Sequence, residues 1–354
     1  MSVPQGAGQG LAGLQPGPQA DQVKAGVWTG PGTVACLDWP EPAADDDTVL
    51  VQVAFCGFCG TDASIIEGRF AAGTPPRVLG HEVSGVVASV GASVRGFAPG
   101  DRVACNILSS CGSCPWCQAG QPNHCARSYL AARGFAQYAA YRPDQVYLLP
   151  ESVSLEHGAL LEPVANCVYA VDRARLQPGD SIVVFGGGPI GLITSLVARL
   201  AGAGPVVLVE PDAAKRARGL ALGLDEALDP AQTDPATFAA GVGPRGGFDV
   251  AVEASGRPEA MLSAMTSLAA GGRLVVVSIF EPGSVVPVPP YLLYEKEILL
   301  TGARATAYTF PRALQLLARL ELSTLITAIE PLSEISDIYR RHREPGRIKT
   351  LVRP

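Results

Sequence analysis

The chain has 354 residues, 47% of them hydrophobic and 17% charged, and its formal net charge is −6. That length holds two domains with substantial cores, and that composition excludes a chain disordered throughout. The negative balance, with no cluster of Lys and Arg along Cys111 to Cys125, excludes nucleic acid as the partner of that segment.

In chain order, residues 1–21 are rich in Gly, Pro and Gln and contain no Lys or Arg. They lack the basic and apolar regions of a signal peptide and read as a flexible tail. Val49 to Phe55 alternates as a half-buried strand does, and Val83 to Val90 is a Val-rich run between glycines. Pro75-Pro76 and Pro99-Gly100 punctuate the segments between, so the first 150 residues predict a mainly β domain with long loops.

Two groups of metal-binding residue types fall inside that domain. Cys59-Gly60-Thr61-Asp62 precedes Gly80-His81-Glu82, and four cysteines follow as Cys111-x2-Cys114-x2-Cys117-x7-Cys125. Four thiolates close the coordination sphere of a zinc ion and make it structural, whereas Cys, His and one carboxylate leave a position open for chemistry. The expectation is two Zn²⁺ per chain. A disulfide knot is the rival reading of the four cysteines, and a core of this size has no need of one. Cys36, Cys56, Cys105 and Cys167 read as buried apolar side chains, although Cys56 and Cys59 also form a Cys-x2-Cys pair open to a redox reading.

After Pro150 the texture changes. Ser181 to Phe185, Val206 to Glu210, Phe248 to Val252 and Arg273 to Val277 are short Val-rich runs, separated by helix-length segments such as Ile190 to Ala201 and Glu259 to Ala269. This alternation predicts an α/β domain, a doubly wound parallel sheet with helices on both faces. Gly186-Gly187-Gly188-Pro189-Ile190-Gly191 follows the first run and opens a helix, the context in which Gly186, Gly188 and Gly191 form a dinucleotide fingerprint. Glu210 ends the next run, placed to accept from ribose hydroxyls and to repel a 2′-phosphate, so NAD is favoured over NADP. Lys215 is counted with the cofactor-binding residues, and it and Arg216 are cations that could tolerate a phosphate. The most apolar stretch, Ser181 to Glu210, is broken by these glycines, Pro189 and Arg199, which excludes a membrane span; the expected location is the cytoplasm. Pro311 to Leu320 predicts a helix in a terminal segment that packs back on the first domain. The expected division is a zinc domain at 22–162, completed by about 305–354, and a dinucleotide-binding domain at 163–304.

With two zinc signatures ahead of a dinucleotide fold, the chain over about residues 22–354 resembles the zinc-dependent alcohol dehydrogenases of the medium-chain dehydrogenase/reductase superfamily. The run Gly80-His81-Glu82-x2-Gly85-x5-Gly91 and the segment Gly100-Asp101-Arg102-Val103 belong to the same resemblance. It implies a GroES-like catalytic domain beside a Rossmann-type cofactor domain. It also implies Cys59 and His81 as catalytic zinc ligands, with the third in Leu160-Leu161-Glu162-Pro163, where Glu162 is similar to the polyol, threonine and butanediol branch; Cys167 is the competing candidate. Glu82 would stand behind His81 or briefly replace another ligand, and Asp62 would orient the imidazole. Thr61 would receive the substrate proton, and Ile190 would press the nicotinamide toward substrate. Ser64 stands where many relatives end their proton relay in histidine, and serine cannot hold a proton near neutral pH.

The implied reaction moves hydride between a secondary alcohol, such as a polyol or amino alcohol, and NAD, with zinc stabilising the alkoxide. An NADPH-dependent carbonyl or enone reductase is one alternative, and a catalytically silent zinc protein is another. The implied partners are a small alcohol or ketone and further copies of the chain, as a homodimer or homotetramer. His124, His157 and His342 are expected to face solvent, while Phe58, Tyr129, Phe280, Tyr291 and Tyr294 are candidate pocket walls.

Overall fold

The computed structural model describes residues 22–43, 45–70, 73–130 and 133–354, and the expected tail at 1–21 lies outside them. Two sheets carry the architecture. The first has seven strands, in the order Val146–Leu148, Arg102–Cys105, Glu82–Val90, Val49–Phe58, Lys349–Arg353 and Ile326–Pro331, with Tyr138–Tyr141 also pairing to Val49–Phe58. The alternation expected from Val49 holds only around Gln52, exposed between buried Val51 and Val53; Leu50, on the same face as Gln52, is buried, so the strand is covered on both faces at its start. Beneath them Val27, Ile66, Val83, Phe135 and Tyr141 form one apolar cluster. A smaller sheet, Thr33–Pro40, Gln22–Gly30 and Arg77–Val78, stands beside it.

The second sheet has six strands, all parallel, in the order Glu226–Leu228, Val206–Val209, Ile182–Phe185, Phe248–Glu253, Leu268–Val276 and Leu299–Gly302. Its order reverses direction between Ile182–Phe185 and Phe248–Glu253, and the crevice beyond the carboxyl ends at such a point is where open α/β sheets bind ligands. Ile182 and Val184 are wholly buried, as are Leu192 and Ile193 of the helix Pro189–Leu200 that covers them, and Val183 is wholly buried on the other face. Each such side chain taken from water contributes roughly 1.5–3 kcal/mol.

The helix Leu161–Ala174 links the two sheets in sequence and packs against both Pro189–Leu200 and Phe310–Leu317. The terminal segment does return to the first sheet, where Lys349–Arg353 lies between Val49–Phe58 and Ile326–Pro331. No helix among the described residues is long and apolar enough to cross a membrane.

Candidate zinc and dinucleotide sites

Cys59 ends its strand in extended backbone and the helix Gly60–Ile66 begins at once, so the first turn has N–H groups without partners in the helix. Asp62 answers them: one carboxylate oxygen accepts from the Cys59 N–H at 3.0 Å, and the other accepts from the Gly80 N–H at 3.3 Å and meets His81 Nδ1 at 3.2 Å. A ring nitrogen occupied in this way leaves Nε2 for the site. The ligand atoms of Cys59, His81 and Glu82 come within 4.8 Å of one another. Burial opposes charge on His81, but Asp62 and the Cys59 sulfur outweigh it and hold the imidazole pKa well above its ordinary value.

Glu162 opens the helix Leu161–Ala174 and lies beside this group rather than inside it, with Oε1 accepting from Asn166 Nδ2 at 2.7 Å. Burial pushes its carboxyl up; the charge of Glu82 adds to that, while His81, Asn166 and Lys349 pull it down. Glu162 thus lies within electrostatic reach of His81, Glu82 and Lys349. Cys167 is turned elsewhere: its thiol donates to the Ile190 carbonyl at 3.4 Å, and burial raises it to about 12, so it stays protonated inside the core.

Sequence reasoning passed over Lys349. Its ammonium is buried against Glu82, at 2.6 and 2.7 Å from the two carboxylate oxygens, and also donates to the Phe58 carbonyl at 3.3 Å. Burial works against that charge, yet Glu82 and the Cys59 sulfur keep its pKa above the ordinary value. Gly57 makes the pairing possible, because a Cβ there would sit 1.9 Å from Glu82 Oε2. Cys59, Asp62, Glu82 and Glu162 thus bring anionic donors together with one lysine as a fixed counter-charge, a set that suits a divalent cation. Thr61 and Ser64 are half-buried on the same short helix.

In the cysteine lobe the sulfurs stand at 3.5 Å (Cys114 to Cys117), 3.8 Å (Cys114 to Cys125) and 4.0 Å (Cys111 to Cys117). Sulfurs about 2.3 Å from a shared tetrahedral zinc lie roughly 3.8 Å apart, whereas a disulfide needs about 2.05 Å. All nine cysteines are free. The Ser113 N–H, helped by that of Cys114, lowers the Cys111 thiol to about 5, and the Cys117 N–H lowers Cys114. Burial pushes Cys117 the other way, to about 11, so the lobe needs a cation before all four can be thiolates together.

At the glycine loop, Gly186 has φ of 109° and Gly191 comes so close to the preceding strand end that a Cβ would lie 1.8 Å from the Gly186 carbonyl oxygen. Gly188 precedes Pro189, the first residue of the helix. Glu210 is buried, and its carboxylate accepts from the Gly187 N–H at 2.6 Å and the Asp212 N–H at 2.9 Å. Arg216 is engaged with Asp229 and with the carbonyls of Glu210 and Pro211, and Lys215 packs its Cβ near Gly187. Ile190 is half-buried against the core.

The chain matches the alcohol dehydrogenase GroES-like domain over residues 45–151 and the zinc-binding dehydrogenase family over residues 189–319. It is 31% identical to sorbitol dehydrogenase of Bacillus subtilis over 90% of this chain and 93% of that protein. The chain belongs to the zinc-dependent medium-chain dehydrogenases. A zinc-binding dehydrogenase of Sinorhizobium meliloti solved with NADP bound has a TM-score of 0.89 to this dehydrogenase, at 33% identity, over 94% of this chain and 100% of that one. The 2R,3R-butanediol dehydrogenase of Bacillus subtilis gives 0.85 at 29% identity, over 94% and 99%. The fold is accordingly a GroES-like domain joined to a Rossmann-type parallel sheet, and the dehydrogenase uses zinc and a nicotinamide cofactor.

The remaining expectations fare unevenly. His124 is exposed beside Trp116, but His157 is half-buried and His342 is half-buried between Phe58 and Tyr339, so neither of the last two simply faces solvent. Phe58 stacks on Phe135 inside the core of this dehydrogenase, and Tyr291 and Tyr294 are exposed. The Tyr129 side chain lies outside the described residues.

Proposed function

We propose that this dehydrogenase oxidises a polyol or similar secondary alcohol with NAD, using Cys59, His81 and Glu162 as the ligands of a catalytic zinc and Cys111, Cys114, Cys117 and Cys125 as those of a structural one. The observation that carries the reading is Asp62, which from the first turn of the helix Gly60–Ile66 holds both the Cys59 N–H and His81 Nδ1 and so leaves the other ring nitrogen for the site beside Cys59. A zinc ion held by Cys59, His81 and Glu162 would lower the pKa of an alcohol hydroxyl, and a nicotinamide in the crevice beside the glycine loop would supply the hydride acceptor. Thr61, two residues from Cys59, accepts the alcohol proton, and Glu210 orients the adenosine ribose. Ser64 can relay but cannot store the proton, which leaves through water, the ribose hydroxyls or another side chain. The names of the relatives support the substrate class, since sorbitol and D-arabinitol dehydrogenases are among them.

The test is turnover on a panel of polyols, amino alcohols and simple secondary alcohols. A polyol with NAD should give the highest kcat/KM, about tenfold or more above NADP because Glu210 repels a 2′-phosphate. The NADP held by the Sinorhizobium meliloti relative favours the second reading, an NADPH-dependent carbonyl reductase. Faster ketone reduction with NADPH than polyol oxidation with NAD would replace the first reading by that one.

The choice of Glu162 over Cys167 has its own test. Glu162→Gln should lose the catalytic zinc or about 100-fold in kcat while NADH affinity holds, as removal of a ligand or its immediate support does. Harmless Glu162→Gln with a zinc-depleted Cys167→Ala would reverse the assignment.

Cytoplasmic residence is supported by the nine free cysteines. A homodimer or homotetramer is supported by the strand Leu299–Gly302, an edge of the parallel sheet whose Leu299 and Leu300 are exposed. Light scattering on the protein used for the panel should read two or four chains, and a single-chain mass would refute assembly.

A further inference from the structure

Glu253 ends the strand Phe248–Glu253 at the carboxyl edge of the sheet, in register with Phe185 on one side and Val276 on the other. It is wholly buried. Its Oε1 accepts from the Ser255 N–H at 2.8 Å, the Gly256 N–H at 2.9 Å and the Ser255 hydroxyl at 2.5 Å, and its Oε2 accepts from the Ser278 hydroxyl. A buried carboxylate is an acceptor at every lone pair, so it orders whatever donors surround it. Here they come from two separate turns, the one after Phe248–Glu253 and the one after Leu268–Val276.

Both turns stand at the crevice. A Cβ on Gly186, first of the fingerprint glycines, would lie 3.0 Å from the Ala254 carbonyl, so the first turn abuts the glycine loop. Gly256, with φ of 72°, has room for a Cβ only 3.3 Å from the Ile279 carbonyl, so the second turn abuts the first. Ile279 itself is 56% exposed, an apolar side chain left uncovered on the second turn. Glu210 lies on the opposite side of Ile182–Phe185, at the end of Val206–Val209. A dinucleotide straddling the reversal of strand order with its adenosine at Glu210 must carry its other half past the Glu253 turns.

We infer that Glu253 is a positioning residue for the nicotinamide half of the cofactor: its one carboxylate fixes the two turns that wall that half of the crevice. The inference rests on the reading of the protein as a nicotinamide dinucleotide enzyme. Glu253→Gln keeps the shape but replaces Oε2 by an NH2 group, so the Ser278 hydroxyl can hold the second turn only by accepting, and the charge assistance to both turns is lost. Ser278→Ala releases only the second turn, and Ser278→Thr restores its hydroxyl.

The experiment compares binding of NADH with that of ADP-ribose, which lacks the nicotinamide, to the zinc-loaded protein. Loss of a charge-assisted hydrogen bond should raise the Kd of NADH about tenfold in Glu253→Gln and in Ser278→Ala, leave ADP-ribose within about twofold, and leave Ser278→Thr near the unmutated value. Equal weakening of both ligands, or no change in either, overturns the inference. If Glu253→Gln does not fold, the two Ser278 variants decide it by the same comparison. Failure of ADP-ribose to bind the unmutated protein would instead overturn the dinucleotide reading itself, and this inference with it.

Discussion

Replacing Lys349 by methionine is expected to destabilise the protein by about 3–5 kcal/mol, the cost of leaving one member of a buried ion pair without its partner. Glu82 and Lys349 are each about 98% buried, and both carboxylate oxygens touch the ammonium, so no solvent is at hand to replace it. The double variant Lys349→Met with Glu82→Gln removes both charges and should recover much of the loss, because two neutral groups of similar shape avoid the desolvation that the lone carboxylate suffers. Urea unfolding of the three proteins measures this. A single-variant loss below about 1 kcal/mol, the range of exposed pairs, would refute it. The pH dependence has a definite sign. Lys349 is held above its ordinary value, so its contribution is complete below the unfolded-state lysine pKa of about 10.4 and falls only as pH rises toward the folded-state value.

The second large effect belongs to the cysteine lobe. Cys114→Ser should reduce zinc from two ions per chain to one and leave the segment around Cys111–Cys125 open to protease. Structural zinc sites hold their loops with apparent binding energies on the order of 10 kcal/mol, far more than the helix Pro115–Gln118, four residues long, supplies alone. Elemental analysis with limited proteolysis reads both consequences. Two zinc ions retained in Cys114→Ser, with the lobe still resistant, would overturn the four-thiolate assignment.

Which features were legible from the sequence follows from how local their causes are. The glycine fingerprint and the cysteine spacing are short and nearly self-sufficient, because each is dictated by a ligand that touches consecutive residues. Glu226–Leu228 and Leu299–Gly302 escaped notice because the one is three residues long and starts with a charge and the other is an exposed edge, so neither shows the buried Val-rich run of a central strand. Lys349 was illegible for a different reason. Its partner is 267 residues away, and a lysine in the run Arg347-Ile348-Lys349-Thr350 reads as a surface charge until Glu82 is folded against it. Glu253 left a faint trace: an acid at the end of an apolar strand, followed by Ser255-Gly256, is a turn whose N–H groups need an acceptor.

The strand Lys349–Arg353 is inserted in the first sheet one place from its edge, between Val49–Phe58 and Ile326–Pro331, while the parallel sheet is made from residues 182–302 without interruption. The ribosome therefore finishes the cofactor sheet before it can finish the sheet it began first. Domains ordinarily fold from the N-terminus as they emerge, and here the first-made half must wait for residues 349–353. During that wait Cys59 and Cys111 through Cys125 are already synthesised in a half whose sheet still lacks the strand that joins Val49–Phe58 to Ile326–Pro331, and losing residues 349–353 would cost the sheet begun first rather than the cofactor sheet.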